Sequence, residues 1–136
     1  MSIDQQDTRA DVNRTVVRDL YRHVAAGDLE AGFALLHDEF VSHNPRVPHD
    51  PTTGTGKQAF RDFFATPAGQ ALATADQEVV RLLADDDLVA VHVHLTVAGT
   101  DMAIVDLWRL RDGLVIEHWD VVQPVPNPLP HPHGMF

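Results

Sequence analysis

Apolar residues in the first half of the chain recur at intervals of three and four, the spacing of one helix face. Gly27 ends the first of these segments, Asp28 is a suitable N-cap for the second, and Thr55 is one for the third. Pro67 and Gly69 are expected to end the third helix. The predicted helices span Asp7–Ala26, Leu29–Leu36 and Lys57–Ala65.

In the second half the apolar period changes to two, which is typical of strands. Helices followed by a meander of antiparallel strands predict an α+β fold, with a curved sheet that wraps the helices and leaves a pocket. One domain over residues 1–136 is expected, with an extended Pro-rich tail at 123–136. The predicted extended segments are Phe40–His43, Asp76–Ala84, Leu88–Val97 and the two halves of a hairpin within Met102–Val122.

The hairpin carries the main candidate site. Asp112-Gly113 forms its turn, because both residues tolerate positive φ. Asp106 on one strand, and His118 with Asp120 on the other, stand among apolar residues, where charge is costly unless paired or used. Trp108 shares the face of Asp106. The alternative is an Asp–His pair satisfied inside a core, since structural ion pairs also occur.

The chemistry of these side chains suggests acid/base catalysis. A histidine titrates near neutrality, and a neighbouring carboxylate orients the ring. Asp106, in apolar surroundings, can instead remain protonated and donate a hydrogen bond to an oxyanion. The register of the hairpin decides this, because a slip of one residue would turn Asp106 away from His118.

Other polar residues are expected around the pocket. His43 and Asn44 follow the short extended segment and are predicted to reach the pocket from its loop side. His92 and His94 share one strand face and are placed there as well. Two such histidines can hold a metal with a third ligand, Asp106 or His118, but no recognised spacing supports it, and we expect no metal.

The opposite face of the hairpin is predicted to lie outward. It carries Val105, Leu107, Val115 and Val121, which is too much apolar surface for water. A large exposed apolar face usually marks an interface, so we expect a homodimer formed through the sheet.

Composition narrows the function classes. Of 136 residues 44% are apolar, enough for a core, and no stretch is long enough to span a membrane. The net charge of −10 disfavours nucleic acid and anionic membrane surfaces as partners. The chain has no cysteine, and its polar, acidic N-terminus does not resemble a signal peptide, so we expect a cytoplasmic protein.

Several segments together resemble a known family. The sequences FVSHNP at Phe40–Pro45, VHVH at Val91–His94 and VDLWRLRDGLVIEHWDVVQPVP at Val105–Pro126, with a terminal Met135-Phe136, are similar to SnoaL-like proteins of the nuclear transport factor 2-like superfamily. The resemblance runs from about the first helix to the C-terminus. It is greatest for the subfamily described as aldol condensation-catalysing, after a polyketide cyclase.

The resemblance implies a cystatin-like cone fold, a pocket inside the cone, no cofactor and usually a homodimer. It implies an acid/base role for Asp120, which matches the cyclase aspartate. Ketosteroid isomerase belongs to the same superfamily, and its D-x-F-R strand resembles Asp106–Arg109 here. Two positions depart from that isomerase: its basic aspartate falls on Asn44, and its oxyanion tyrosine falls on Leu20, one residue from Tyr21.

Three functions follow as hypotheses. The first is a cofactor-free enzyme that removes a proton next to a carbonyl and stabilises the enolate, in aldol cyclisation or isomerisation of a small apolar carbonyl compound. The second is a domain that binds such a molecule without converting it. The third is an assembly domain, which has no need of three ionisable groups facing a pocket. The assigned catalytic residues are Asp120, His118 and Asp106, and the substrate-binding residues are His43, Asn44, His92, His94 and Trp108.

Overall fold

The computed structural model describes residues 8–136 and forms an α+β fold, as predicted. Five strands make one curved, mixed sheet in the order β1-β5-β4-β3-β2, with β1 parallel to β5 and the other pairs antiparallel. Helices α1 and α3 pack against this sheet. The elements of the described residues are α1 (Arg9–Ala25), α2 (Leu29–Phe33), β1 (Leu36–Ser42), α3 (Gly56–Phe64), α4 (Pro67–Ala73), β2 (Asp76–Ala84), β3 (Leu88–Val97), β4 (Thr100–Arg111) and β5 (Leu114–Pro124).

The starts of α1 and α4 differ from the predictions, because capping side chains set where each helix begins. Helix α1 begins after Thr8, whose side chain and that of Asp11 form a capping box; Asp7, the predicted start, lies outside the described residues. Pro67 does not exclude a helix here but begins α4, because proline is favoured in a first helical turn. The side chain of Thr66 caps it by accepting from the backbone N–H of Gly69 at 3.1 Å.

Strand β1 is longer than the predicted extended segment and takes residues assigned to the second helix. Helix α2 ends at Phe33, and β1 begins at Leu36. Leu36 and Phe40 of this strand are fully buried. Because β1 runs parallel to β5, its C-terminal end lies beside His118, with Ser42 as the register partner of that histidine.

A β-bulge in the β4–β5 hairpin sets which side chains share a face. The turn has Asp112 at φ 54° and Gly113 at φ 77°, as the sequence predicts. Leu110 then pairs with Val115 but Arg109 pairs with Glu117, so Ile116 is an extra residue in β5. Beyond this bulge, His118 and Asp120 lie on the same face as Asp106.

The bulge also corrects one prediction. Val115 was expected on the outer face, but it pairs with Leu110 before the bulge and is completely buried in the core. Val105, Leu107 and Val121 do lie on the outer face, where they are 44%, 39% and 70% exposed. Val105 and Val121 are direct cross-strand partners, so this apolar surface is continuous.

Strand β5 extends to Pro124, two residues into the predicted tail, and the remaining residues 125–136 have no regular structure, as their prolines predict. This tail covers one end of the outer sheet face, where the ring of Phe136 stacks on His94 at 4.0 Å between centroids. None of the helices in the described residues has the length and apolar character needed to cross a membrane.

The bulge predicts different effects for the same substitution at two valines. Val115→Thr buries a hydroxyl in an apolar environment without a hydrogen-bond partner. It should lower the free energy of unfolding by about 1–3 kcal/mol. Val121→Thr, on an exposed site, should change it by less than about 0.5 kcal/mol. Urea denaturation of both variants measures the difference. Equal, small effects would mean that Val115 faces outward and that the hairpin has no bulge.

Candidate active site

A cavity of about 130 Å³ lies between the helices and the concave face of the sheet. Its walls are mostly apolar and include aromatic rings of α2 and α3, such as Phe33 and Phe60. Polar side chains gather on the sheet side and at the end of α1. They are Tyr21, Asn44, Gln77, Asp106, His118 and Asp120.

Asp106 and His118 form a buried pair at the centre of this group. The Nε2 atom of His118 lies 3.0 Å from Oδ1 of Asp106, and the residues are 3% and 8% exposed, respectively. The Trp108 ring stacks on the imidazole at 3.9 Å between centroids and holds it in plane. The predicted meeting of Asp106, His118 and Trp108 is therefore present, and it depends on the bulge at Ile116.

Tyr21 is the second hydrogen-bond partner of Asp106. Its hydroxyl donates to Oδ2 of Asp106 and accepts a hydrogen bond from Nε1 of Trp108 at 3.1 Å. Burial, together with the charge of Asp106, holds the pKa of Tyr21 well above its ordinary value, so the phenol stays neutral. Tyr21 was not among the site residues predicted from the sequence. The position that matches the oxyanion tyrosine of the resembling isomerase is Leu20, one residue away.

Ser42, also missed, fixes the other side of His118. Its Oγ lies 3.0 Å from Nδ1 of His118 and accepts from the backbone N–H of Asn44 at 3.2 Å. Ser42 can therefore donate to Nδ1 while Nε2–H donates to Asp106. In this arrangement every donor of the hydrogen-bond network has an acceptor. The signal for Ser42 was its alternation with the apolar Phe40 on β1.

Asp120 differs from Asp106 because one of its oxygens has no partner. Oδ2 accepts from Nδ2 of Asn44 at 2.8 Å, and Oδ1 of Asn44 accepts from the backbone N–H of Arg46 at 2.8 Å, which fixes the amide orientation. Among residues 8–136, Oδ1 of Asp120 is the only buried side-chain oxygen or nitrogen without a hydrogen-bond partner. It belongs to a residue that lines the cavity.

The electrostatics of Asp120 favour proton uptake. Burial raises the pKa of Asp120, and the neighbouring Asp106 carboxylate raises it further, whereas His118 and Arg46 oppose the shift. The two aspartates are direct cross-strand partners, so their repulsion is built into the register. The carboxylate with a free oxygen is thus also the one whose charged form is penalised, as a general base requires.

Three predicted binding residues lie outside the cavity. His43 points away from Ser42 and Asn44 by strand alternation; its Nε2 is 2.8 Å from Glu117 Oε2. His92 and His94 lie on the outer sheet face. They do so because the all-apolar face of β3, from Val89 to Leu95, takes the buried side.

Asp106, His118 and Asp120 are also the residues that could offer ligands to a metal. Their nearest ligand atoms lie within 4.8 Å of one another. However, Nε2 of His118 and Oδ1 of Asp106 already bond each other, so an ion would have to displace that hydrogen bond. Only Asp120 has a free oxygen, and the group fits a proton-transfer site better than a metal site.

A family model described as "SnoaL-like domain" matches residues 17–118. No curated protein sequence matches the chain. Solved structures with a similar fold include a candidate ketosteroid isomerase, a candidate polyketide cyclase and proteins of unknown function.

A candidate ketosteroid isomerase from Kribbella flavida is 25% identical, with a TM-score of 0.72 over 91% of this chain and 87% of that one. IdmH, a candidate polyketide cyclase from Streptomyces antibioticus, is 21% identical, with a TM-score of 0.63 over 82% of this chain and 91% of its own. An NTF2-like protein of unknown function from Burkholderia xenovorans is 19% identical, with a TM-score of 0.70 over 92% and 91%.

The two aspartates should respond oppositely to amide substitution. Asp106→Asn leaves a donor of Tyr21 or His118 unpaired and should cost about 1–3 kcal/mol of unfolding free energy. Asp120→Asn removes a charge that burial disfavours, so the melting temperature at pH 7 should hold or rise.

The pH dependence of the stability tests the effect of Asp120→Asn independently. Because the folded-state pKa of Asp120 is raised, ionisation destabilises the wild type as pH rises from the ordinary value of 3.8 through the folded-state pKa. Any advantage of Asp120→Asn should therefore disappear near pH 3. Thermal melts from pH 3 to 8 test this, and a clear loss of stability for Asp120→Asn at pH 7 would assign Asp120 a structural role.

Proposed function

The chain belongs to the SnoaL-like domain family, and we propose that it is a small-molecule enzyme that removes a proton next to a carbonyl group. The substrate is a small, largely apolar carbonyl compound, and the chemistry is of the enolate type, as in aldol cyclisation or isomerisation. The observation that carries this proposal is the unpartnered oxygen of Asp120 at a mostly apolar cavity. A buried carboxylate without a partner is costly unless it has a use.

Asp120 is the general base in this proposal. Asn44 donates to Oδ2, which leaves Oδ1 without a partner and available to take the substrate proton. His118 and Asp106 are not free for this role, since their polar atoms bind each other, Ser42 and Tyr21. Their part is to hold a fixed network beside the base, whose pKa is raised mainly by burial and, to a smaller extent, by the charge of Asp106.

The enolate oxygen needs a hydrogen-bond donor. The Nδ2 group of Asn44 has a second N–H besides the one given to Asp120, and this N–H can donate to the oxyanion. In an aldol step, the enolate carbon bonds to a second carbonyl carbon of the same molecule. The proton held by Asp120 then passes to the oxygen of that carbonyl.

A ligand-binding domain without catalysis is the second candidate. It is favoured by Asn44, which stands where the resembling isomerase has its basic aspartate. Such a domain gains nothing from an unpartnered carboxylate in its pocket, so the position of Asp120 favours the enzyme.

Hydrogen exchange separates these candidates before the natural substrate is known. With 2-tetralone in deuterium oxide, the wild type should speed exchange of the protons next to the carbonyl, followed by NMR. Asp120→Asn should lower the enzymatic rate by about 10²–10⁴. The wild-type rate should rise with pH as Asp120 ionises.

The matched control is Asp101→Asn, at a carboxylate on the outer face that bonds His94, and it should leave exchange unchanged. Binding of the ketone without any acceleration would favour the ligand-binding domain. Exchange that survives Asp120→Asn would exclude Asp120 as the base.

We also propose that the protein is a homodimer formed through the outer face of the sheet. Support comes from the adjacent, exposed Val105, Leu107 and Val121, which a water-facing sheet would not be expected to carry. A two-fold axis would place this surface against its own copy.

Sedimentation velocity should therefore give a dimer at micromolar concentration. Val121→Asp should shift the protein towards monomer, because it places a charge in the apolar contact. Val12→Asp, at a valine of α1 that is 40% exposed, is the control and should remain dimeric. A wild-type monomer at micromolar concentration contradicts the proposal.

A further inference from the structure

A second cavity, of about 380 Å³, adjoins the first. Asp120 and Asn44 line both cavities, as do three apolar residues. The proposed base and the amide that holds it therefore stand at the boundary between the two spaces. The shared apolar residues are Leu72, Leu95 and Ile104.

The two cavities differ in volume and therefore in the ligands that they can hold. We call the first cavity the inner cavity, because core side chains such as Phe33 and Trp108 line it, and the second the outer cavity. The inner cavity, at about 130 Å³, is close in volume to the roughly 150 Å³ space that takes a benzene-sized molecule. The outer cavity, at about 380 Å³, falls within the usual range of roughly 300–1,000 Å³ for small-molecule sites. A ligand that reaches Asp120 from the outer side and fills both spaces is elongated.

The outer cavity has apolar walls and one cationic side chain, Arg46. Within residues 8–136, Arg46 is the only Lys or Arg lining either of these two cavities, and no carboxylate lies within salt-bridge distance of it. Arg46 is exposed, and among the described residues Arg18 and Arg111 are likewise exposed and have no carboxylate within that distance, so its position at the cavity is what distinguishes Arg46. In a chain of net charge −10, a cation left without an internal partner at a cavity is available to a ligand anion.

We infer that the substrate is an elongated, amphipathic carbonyl compound with a terminal carboxylate, which pairs with Arg46 while the carbonyl end enters the inner cavity beside Asp120. This inference rests on the proposed function and names its substrate class. Arginine binds a carboxylate through two parallel N–H···O bonds, so the pair also fixes the direction in which the ligand enters. The apolar body of the ligand lies along the outer cavity, against residues such as Leu95 and Met102.

Binding of such an anion has a consequence for the base. In the free protein the charge of Arg46 lowers the pKa of Asp120, against the larger effect of burial. A ligand carboxylate neutralises Arg46, so the pKa of Asp120 rises and the carboxylate becomes a stronger base when the acidic substrate is in place. A neutral analogue does not produce this effect.

Calorimetry with two matched ligand series tests the inference. The acids are phenylacetate, phenylbutanoate, phenylhexanoate and phenyloctanoate, each phenyl group at the far end of the chain, and the second series consists of their neutral primary amides. The wild type should bind the longer acids about tenfold or more tightly than their amides. The inference places the inner cavity and Arg46 at opposite ends of an elongated ligand, so phenylacetate, the shortest acid, should show no such preference.

Arg46→Gln should abolish the preference for acids and leave amide binding unchanged. Arg18→Gln is the control, since Arg18 is an exposed residue of α1 that lines neither cavity, and it should keep the preference. Equal melting temperatures show that both variants are folded. Because Arg46 donates only its backbone N–H to Asn44, the substitution does not break the Asn44–Asp120 contact.

The outcomes distinguish this inference from the proposed function. If the wild type binds amides as tightly as acids, or if Arg46→Gln keeps the preference, Arg46 is not a carboxylate site, and proton removal by Asp120 is unaffected. If no member of either series binds at millimolar concentration, the cavities are not a site for elongated apolar ligands and this inference falls, whereas proton removal by Asp120 is decided separately by the exchange of the 2-tetralone protons.

Discussion

The buried carboxylate of Asp106 is the constraint on which the rest of the site depends. A charged group that is 8% exposed persists only if its oxygens are fully coordinated. Here Tyr21 donates from helix α1 and His118 from strand β5. The carboxylate therefore ties a helix to the sheet through polar contacts, and each partner is itself fixed, Tyr21 by Trp108 and His118 by Ser42.

This network gives the two pocket aspartates different properties, although they are neighbours on adjacent strands. Both oxygens of Asp106 have hydrogen-bond partners within the protein, whereas only one oxygen of Asp120 does, and its partner is Asn44. The negative charge of Asp106 then adds to burial in penalising a second charge on Asp120. A fully hydrogen-bonded carboxylate beside a buried one with an unpartnered oxygen is a general way to adjust the pKa of an acid/base residue. The charge of the first raises the proton affinity of the second.

The location of Asp120 at the meeting of two cavities links this electrostatics to ligand size. A base enclosed in the inner cavity would act only on small molecules, whereas one at the boundary can act on the end of a longer one. The lining on both sides is mostly apolar, so charge interactions of the half-buried Asp120 are stronger than in bulk water. The short helix α4 contributes Leu72 to this boundary, so a segment expected to be only a helix stop helps to shape the pocket.

The sequence by itself determined the α+β class, the hairpin turn and the ionisable cluster, because hydrophobic period, turn chemistry and the cost of buried charge are local signals. Tertiary structure decided the rest. An extra residue at Ile116 changes the parity of β5, and only pairing with β4 reveals it. The parallel pairing of β1 brought in Ser42 and turned His43 outward, and the docking of α1 brought in Tyr21. Burial of the apolar face of β3 placed His92 and His94 outside, because desolvating valines is favourable and desolvating imidazoles is not.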